Sequence, residues 1–100
     1  MGKNIIDQYS YLHFAVGIIL FYWDIDIITA IILHTIFEIV ENTKLGMHII
    51  NNYIYFWPGG KPYPDSLVNC ISDTVFFILG WISALLINKL SNNLKLYNKY

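Results

Sequence analysis

Two short polar stretches lie inside segments of the chain that are otherwise almost entirely apolar. In the first stretch, three ionisable side chains follow one another at helical spacing: His34, Glu38 and Glu41. In the second, polar side chains recur at every fourth residue: Asp65, Asn69 and Asp73. Residues spaced in this way lie on one face of a helix, so each stretch predicts a helix with a one-sided polar stripe.

The two polar stripes are joined by the connection 43–64, which allows their helices to run antiparallel. At about 1.5 Å rise per residue, each stripe extends roughly 10–12 Å along its helix, so the depths of the two stripes match. The polar side chains then pair level by level: Asp65 with Glu41 and Asn42, Asn69 with Glu38, and Asp73 with His34. We therefore expect the two stripes to form one site.

Converging carboxylates at this site do not all remain ionised unaided, because like charges at close range raise some of their pKa values. The site is then expected to bind a divalent cation, to hold partly protonated acids or to be filled with water; the cation is the leading hypothesis. Oxygen ligands favour Ca²⁺, Mg²⁺ or Mn²⁺, whereas ligation by His34 favours Zn²⁺ or Fe²⁺. The predicted metal ligands are Glu38, Glu41, Asp65, Asn69, Asp73 and His34. Secondary candidates lie beside them, or one turn into the first apolar segment: Asn42, Ser66, Ser72 and His13.

Hydrogen bonding between helices is the alternative explanation of the polar stripes. Asn, Ser and carboxylic acid side chains in membrane helices often only join helices, at about 0.6 kcal/mol each. Joining two helices needs one or two such residues, whereas here the stripes hold several at matched depth. The number of polar residues favours a binding site, although His13 and His48 taken singly fit a structural role.

The composition indicates a membrane protein. Hydrophobic residues make up 56% of the 100 residues and charged residues only 13%, about half of the charged share of a soluble domain. A soluble chain of this length needs more polar residues to cover its surface. A net charge of −1 and the absence of arginine argue against nucleic-acid binding, and the single cysteine, Cys70, excludes an internal disulfide.

The apolar pattern predicts a single all-α domain integral to the membrane. Three transmembrane helices are expected at about residues 9–23, 25–42 and 65–88, followed by a polar tail at 89–100. The bilayer enforces helices even on β-branched sequence, because every backbone group must be bonded internally. The connection 43–64 begins with an amphipathic segment suited to the interface and ends in a turn-rich loop. Lysines divide equally between the two sides, so charge does not fix the orientation.

The polar stretches also carry a family resemblance. The sequence FEIVENT at residues 37–43, followed after a loop by DSLVNCISDTVFFILGW at 65–81, resembles the uncharacterised bacterial inner-membrane family known as domain of unknown function 2585. The resemblance covers roughly residues 33–85, although Pro64 stands where the family tends to have Gly and the family chains are longer. It marks seven positions as family positions: Glu38, Glu41, Asn42, Asp65, Ser66, Asn69 and Asp73. It implies a site and no particular activity.

Three functions are compatible with such a site. The leading hypothesis is a small membrane protein that binds a cation and, as a homo-oligomer, translocates it, because three short helices enclose little volume alone. The alternative is a metal-dependent membrane enzyme acting on a lipid head group, with Glu38 or His34 as general base. A second alternative is a structural membrane assembly protein. The sequence does not decide between enzyme and transporter.

Overall fold

Helices form every regular element of the described residues, which in this computed structural model are 3–54, 56–57 and 60–95. The four helices are α1 (Gln8–Tyr22), α2 (Ile27–Glu41), α3 (Lys44–Tyr53) and α4 (Leu67–Asn93). No strand occurs in these residues. The prediction of an all-α chain is confirmed for this part of the molecule.

Each helix begins at a polar residue whose side chain accepts from a free amide of the first turn, as N-caps do. The four N-caps are Asp7, Asp26, Thr43 and Ser66. At α2, Asp26 accepts from the Thr29 hydroxyl at 2.7 Å and from the Thr29 amide at 3.0 Å. These hydrogen bonds lower the pKa of Asp26 below its ordinary value. The neighbouring Asp24 lies in the turn before α2, at a φ of 62°.

The long helices follow an up–down–up arrangement in which α1 and α4 are parallel and α2 is antiparallel to both. At one end, the Asn69 amide donates to the Asp7 carboxylate at 3.2 Å, which brings the starts of α1 and α4 together. At the other end, the Trp81 indole donates to the Ile25 carbonyl at 2.9 Å, which brings α4 to the start of α2. The predicted polar stripes of α2 and α4 therefore lie side by side.

The closest helix packing is between α1 and α4, where two glycines let the backbones approach each other. A Cβ atom at Gly17 would clash with the Phe77 carbonyl of α4, and one at Gly80 would clash with the Phe14 carbonyl of α1. Small residues at helix crossings allow this kind of contact, especially between membrane helices. Phe77 fills the space between the helices and is fully buried. The α1–α4 packing thus brings His13 of α1 close to Asp73 of α4.

Among the described residues, α4 is the one helix long and apolar enough to cross a membrane, judged by length and composition. Its apolar window has a mean hydropathy of 2.0 and is only 22% buried within the protein. Helices α1 and α2 have 15 residues each and fall short of the same length test. Three membrane spans are therefore not established by the fold, while a membrane location is compatible with α4.

The helix boundaries differ from the predicted ones mainly at the end of α4. This helix runs to Asn93, past the predicted end at residue 88, so part of the predicted polar tail is helical. It stops where Lys95 takes a φ of 56°, a left-handed conformation that commonly ends helices. Residues 96–100 of the predicted tail lie outside the described residues. The amphipathic segment predicted after residue 43 is helix α3.

Candidate functional site

A cavity of about 230 Å³ lies between the three long helices and the connection after α3. Helix α2 contributes side chains from its C-terminal half, α1 contributes them along most of its length, and α4 contributes them from its first three turns. One part of the lining is polar and contains Asp7, His13, His34, Glu41, Lys61, Asp65, Asn69 and Asp73. The other part is apolar and contains Leu12, Val16, Leu20, Leu33, Phe37, Trp57 and Phe77. The cavity is therefore amphipathic.

The deepest polar group, which we call the inner cluster, consists of His13, His34, Glu38 and Asp73. The Glu38 Oε1 atom lies 3.1 Å from His13 Nε2 and 3.6 Å from His34 Nε2. On the other side of the same imidazole, His13 Nδ1 lies 3.7 Å from Asp73 Oδ2. Glu38 is 6% exposed and Asp73 1% exposed. All three long helices thus contribute to one buried group of imidazoles and carboxylates.

The partners of His13 define the chemistry at Glu38. His13 Nδ1 lies 2.7 Å from the Tyr9 carbonyl, which only accepts, so Nδ1 carries a proton and donates it there. In the neutral imidazole, Nε2 is then an acceptor, and it faces the Glu38 Oε1 acceptor at 3.1 Å. Two acceptors at this distance repel each other unless a proton or a metal ion lies between them. A proton on His13 Nε2, which would donate to Glu38 Oε1, or a metal ion bound by both atoms satisfies this contact.

Two carboxylate oxygens of the inner cluster have no hydrogen-bond partner among the described residues, Glu38 Oε1 and Asp73 Oδ1. The atom nearest to Glu38 Oε1 on His13 is Nε2 at 3.1 Å, which donates to it only when the ring is protonated. The other Glu38 oxygen accepts from the Asn42 amide at 3.3 Å. A buried acceptor without a donor costs about 1–3 kcal/mol, and more if charged. Two such oxygens in one cluster indicate that the cluster binds a proton or a ligand.

Aromatic packing and one threonine hold His34 in place. Its ring stacks on Phe77, with centroids 4.5 Å apart, and meets the His13 ring edge-on at 5.3 Å. Without a metal, the Thr74 hydroxyl, which donates to the Cys70 carbonyl at 2.9 Å, accepts from His34 Nε2 at 3.2 Å. Metal binding by this nitrogen would require the ring proton to move to Nδ1. Hence His34 is fixed within reach of Glu38 before any ligand arrives.

A buried lysine from the connection occupies the mouth of the cavity. Lys61 is 7% exposed, and its ammonium donates to Asp65 Oδ2 at 2.6 Å and to Asn42 Oδ1 at 2.7 Å. The Glu41 carboxylate lies 3.9 Å from the same nitrogen. We call these four residues the outer cluster. Sequence reasoning does not single out Lys61, because a lysine in a Pro- and Gly-rich loop ordinarily lies in solvent and no local pattern distinguishes this one.

Asn51 of α3 positions Lys61 through a two-way hydrogen bond. Its amide donates to the Lys61 carbonyl at 2.7 Å, and its oxygen accepts from the Lys61 amide at 2.8 Å. Asn42 then links the two clusters, since its oxygen accepts from Lys61 and its amide donates to Glu38. The connection is therefore part of the site, and α3 serves to hold it.

Replacing Asn51 by alanine is expected to lower the free energy of unfolding by about 1–3 kcal/mol, because the backbone groups of Lys61 lose their partners. Hydrogen exchange at the Lys61 amide should accelerate in the same variant. Asn52→Ala is the matched control, because the Asn52 side chain bonds within α3, to His48. Equal effects of the two substitutions would contradict the assigned role of Asn51.

The predicted ligands thus separate into groups with different surroundings. Glu41, Asn42 and Asp65 surround the Lys61 ammonium, so an internal cation already neutralises them in part. Asn69 donates to the Asn4 carbonyl at 2.8 Å, and Ser66, the N-cap of α4, donates to the Lys3 carbonyl at 3.3 Å. Both side chains therefore bind the segment that precedes α1. Ser72 is buried and is not among the described residues that line the cavity. His34, Glu38 and Asp73 remain close together, joined by His13.

Two groups of side chains have the spacing of metal ligands. In one, ligand atoms of His13, His34 and Glu38 lie within 4.8 Å of one another. In the other, the same holds for Glu38, Asp65 and Cys70. The second group has the Lys61 ammonium bonded to Asp65, which disfavours a second cation there. The first group, two imidazoles and one carboxylate, is the better candidate for a metal.

Comparison with family models, curated proteins and solved structures finds no match to this chain. The resemblance to the family known as domain of unknown function 2585 therefore stays a prediction. The function is therefore inferred from the geometry of the two clusters and of the cavity.

Proposed function

We propose that this chain is a small integral membrane protein that binds a divalent transition-metal ion at His13, His34 and Glu38. The observation that carries the proposal is the buried Glu38 Oε1, which faces the His13 Nε2 acceptor at 3.1 Å and has no hydrogen-bond donor among the described residues. A metal ion at this point, like a proton on His13 Nε2, removes the repulsion between the two acceptors, and it also draws in His34.

The donor set indicates the class of metal. Two imidazole nitrogens with one carboxylate oxygen suit Zn²⁺, Fe²⁺ or Mn²⁺, and not Ca²⁺. The sequence-based preference for Ca²⁺ or Mg²⁺ counts on oxygen ligands from Glu41 and Asp65, which lie near the Lys61 ammonium. The bond from His13 Nδ1 to the Tyr9 carbonyl is the kind of outer contact that orients histidine ligands in metal sites. When bound, such a metal acts as a Lewis acid that can polarise a substrate oxygen or activate water.

The proposed membrane placement has α1, α2 and α4 all crossing the bilayer, with α3 lying in the interface. Fifteen residues of α1 or α2 extend about 22 Å, which is shorter than the roughly 30 Å hydrocarbon core. We infer that the bilayer thins locally around these two helices or that their flanking residues extend the span. The outward side chains of α2 fit contact with lipid, since several are large, apolar and exposed: Ile28, Ile32, Ile36 and Ile39.

Translocation by a homo-oligomer stays a prediction, as do the alternatives of a lipid head-group enzyme and of an assembly protein. The Lys61 ammonium at the cavity mouth favours stationary binding, because a passing cation would have to displace it from Asp65 and Asn42. Metal binding is common to the first two functions, so it is the step to test first.

The test is elemental analysis of the purified protein combined with a thermal unfolding screen over Zn²⁺, Mn²⁺, Fe²⁺, Ca²⁺ and Mg²⁺. A metal at a hundred times its dissociation constant adds about 2.7 kcal/mol to stability if it binds only the folded chain. We expect stabilisation by one of the three transition metals and a smaller effect of Ca²⁺ or Mg²⁺. Equal stabilisation by Ca²⁺, or none by any metal, would overturn the proposal.

A further inference from the structure

The apolar part of the cavity lies along the junction of α1 and α2. On α1 its lining residues recur at every fourth position, Leu12, Val16 and Leu20, and on α2 they are Leu33 and Phe37. Helix α1 packs chiefly on α4 and has few contacts with α2. The two helices therefore leave between them an apolar groove that continues directly into the polar clusters.

The volume of the cavity is larger than the volume that a bound metal ion occupies. About 230 Å³ is many times the roughly 10–15 Å³ that one water requires, and cavities with apolar walls do not hold water. A metal ion with a few waters fits the polar part, but it leaves the groove between α1 and α2 unfilled. The groove therefore fits a hydrocarbon chain, which is also what surrounds a membrane helix.

One carboxylate oxygen in the polar part of the cavity lacks a hydrogen-bond donor, and a metal at His13, His34 and Glu38 would not provide one. Asp73 lines the cavity, is 1% exposed, and its Oδ1 atom has no hydrogen-bond partner among the described residues. His13 Nδ1 lies 3.7 Å from the other Asp73 oxygen, Oδ2, so Oδ1 is the atom left for a donor from a ligand. A charged N–H group makes the stronger hydrogen bond to a carboxylate oxygen.

We propose that the cavity binds an aminophospholipid of the bilayer, with an acyl chain in the groove between α1 and α2 and its primary ammonium donating to Asp73. Lys61 lines the same polar part, where its ammonium bonds to Asp65 and Asn42, so it lies in the region that the head group would occupy. This inference goes beyond metal binding, since it depends on Asp73 and the groove and on no metal ligand. Phosphatidylcholine carries the same positive charge without an N–H donor, and phosphatidylglycerol carries no positive charge.

The experiment is native mass spectrometry of the purified full chain with EDTA, in detergent containing equal amounts of phosphatidylethanolamine, phosphatidylcholine and phosphatidylglycerol with identical acyl chains. We expect phosphatidylethanolamine to be retained about tenfold or more over the other two, the effect of one charge-assisted hydrogen bond. In the series of mono- and dimethylated phosphatidylethanolamines, retention should persist while one N–H remains and fall at phosphatidylcholine.

Two variants test where on the protein the lipid binds. Asp73→Asn should reduce the preference for phosphatidylethanolamine over phosphatidylcholine to near one, and Leu33→Trp should lower retention of all three lipids by filling the groove. Leu86→Trp is the control for added bulk, because Leu86 is exposed on α4 away from the cavity. The comparison of lipids on the unaltered protein tests the proposal even if a variant fails to fold.

Equal retention of phosphatidylcholine and phosphatidylethanolamine, or preference for phosphatidylglycerol, would overturn the aminophospholipid proposal. So would an unchanged preference in a folded Asp73→Asn protein. Because the measurement is made with EDTA, its failure leaves metal binding untouched. Conversely, absence of metal binding in the unfolding screen would leave the lipid result standing.

Discussion

Replacing His13 by alanine is expected to lower the affinity for Zn²⁺ by about 100-fold or more, which corresponds to roughly 2.7 kcal/mol. The reason is that His13 supplies the nitrogen that faces Glu38 Oε1 at 3.1 Å and is oriented by the Tyr9 carbonyl. Glu38→Gln should have a comparable effect, because the neutral amide is a far weaker ligand. The measurement is a competition titration of the metal against a chromophoric chelator.

His48→Ala is the matched control for this experiment. His48 is exposed on α3, and its contacts with Asn52 and with the Tyr53 ring lie within that helix. Its replacement should leave the metal affinity unchanged. If His13→Ala binds zinc as the unaltered protein does, or if His48→Ala loses affinity equally, the metal does not lie at the inner cluster.

Replacing Lys61 by methionine is expected to reduce the free energy of unfolding by about 3–5 kcal/mol. Methionine fills a similar volume but removes the ammonium, which leaves the Asp65 carboxylate and the Asn42 oxygen without their donor in a buried place. The loss should be measured by thermal unfolding in detergent, followed by circular dichroism. An exposed ion pair would contribute at most about 1 kcal/mol, so the size of the effect tests the burial of Lys61.

Lys44→Met is the control, because Lys44 is exposed at the start of α3. The double variant Lys61→Met/Asp65→Leu should recover part of the lost stability, since an apolar pair can replace a buried ion pair. A loss below about 1 kcal/mol in Lys61→Met, or an equal loss in Lys44→Met, would contradict the structural role of the outer cluster.

Local sequence is sufficient to predict much of the fold. The spacing of apolar and polar residues predicts the long helices, and their starts lie within a few positions of the predicted ones. The matched depth of the two stripes also predicts that Asn42 and Asp65 meet, and the Asp65 amide donates to the Asn42 oxygen at 2.8 Å. These features depend on helical periodicity and on loop position, which are both properties of neighbouring residues in the chain.

Only the tertiary structure decides how the site divides into the inner and the outer cluster. Whether a carboxylate binds a metal or an internal ammonium depends on which side chains approach it from other segments. Lys61 reaches Asp65 and Asn42 because Asn51, ten residues earlier in the chain, holds its backbone. His13 becomes the centre of the inner cluster because the glycines at the α1–α4 crossing bring the two helices into backbone contact. Neither arrangement leaves a local pattern, since burial and pairing are set by packing between segments and not by spacing within one.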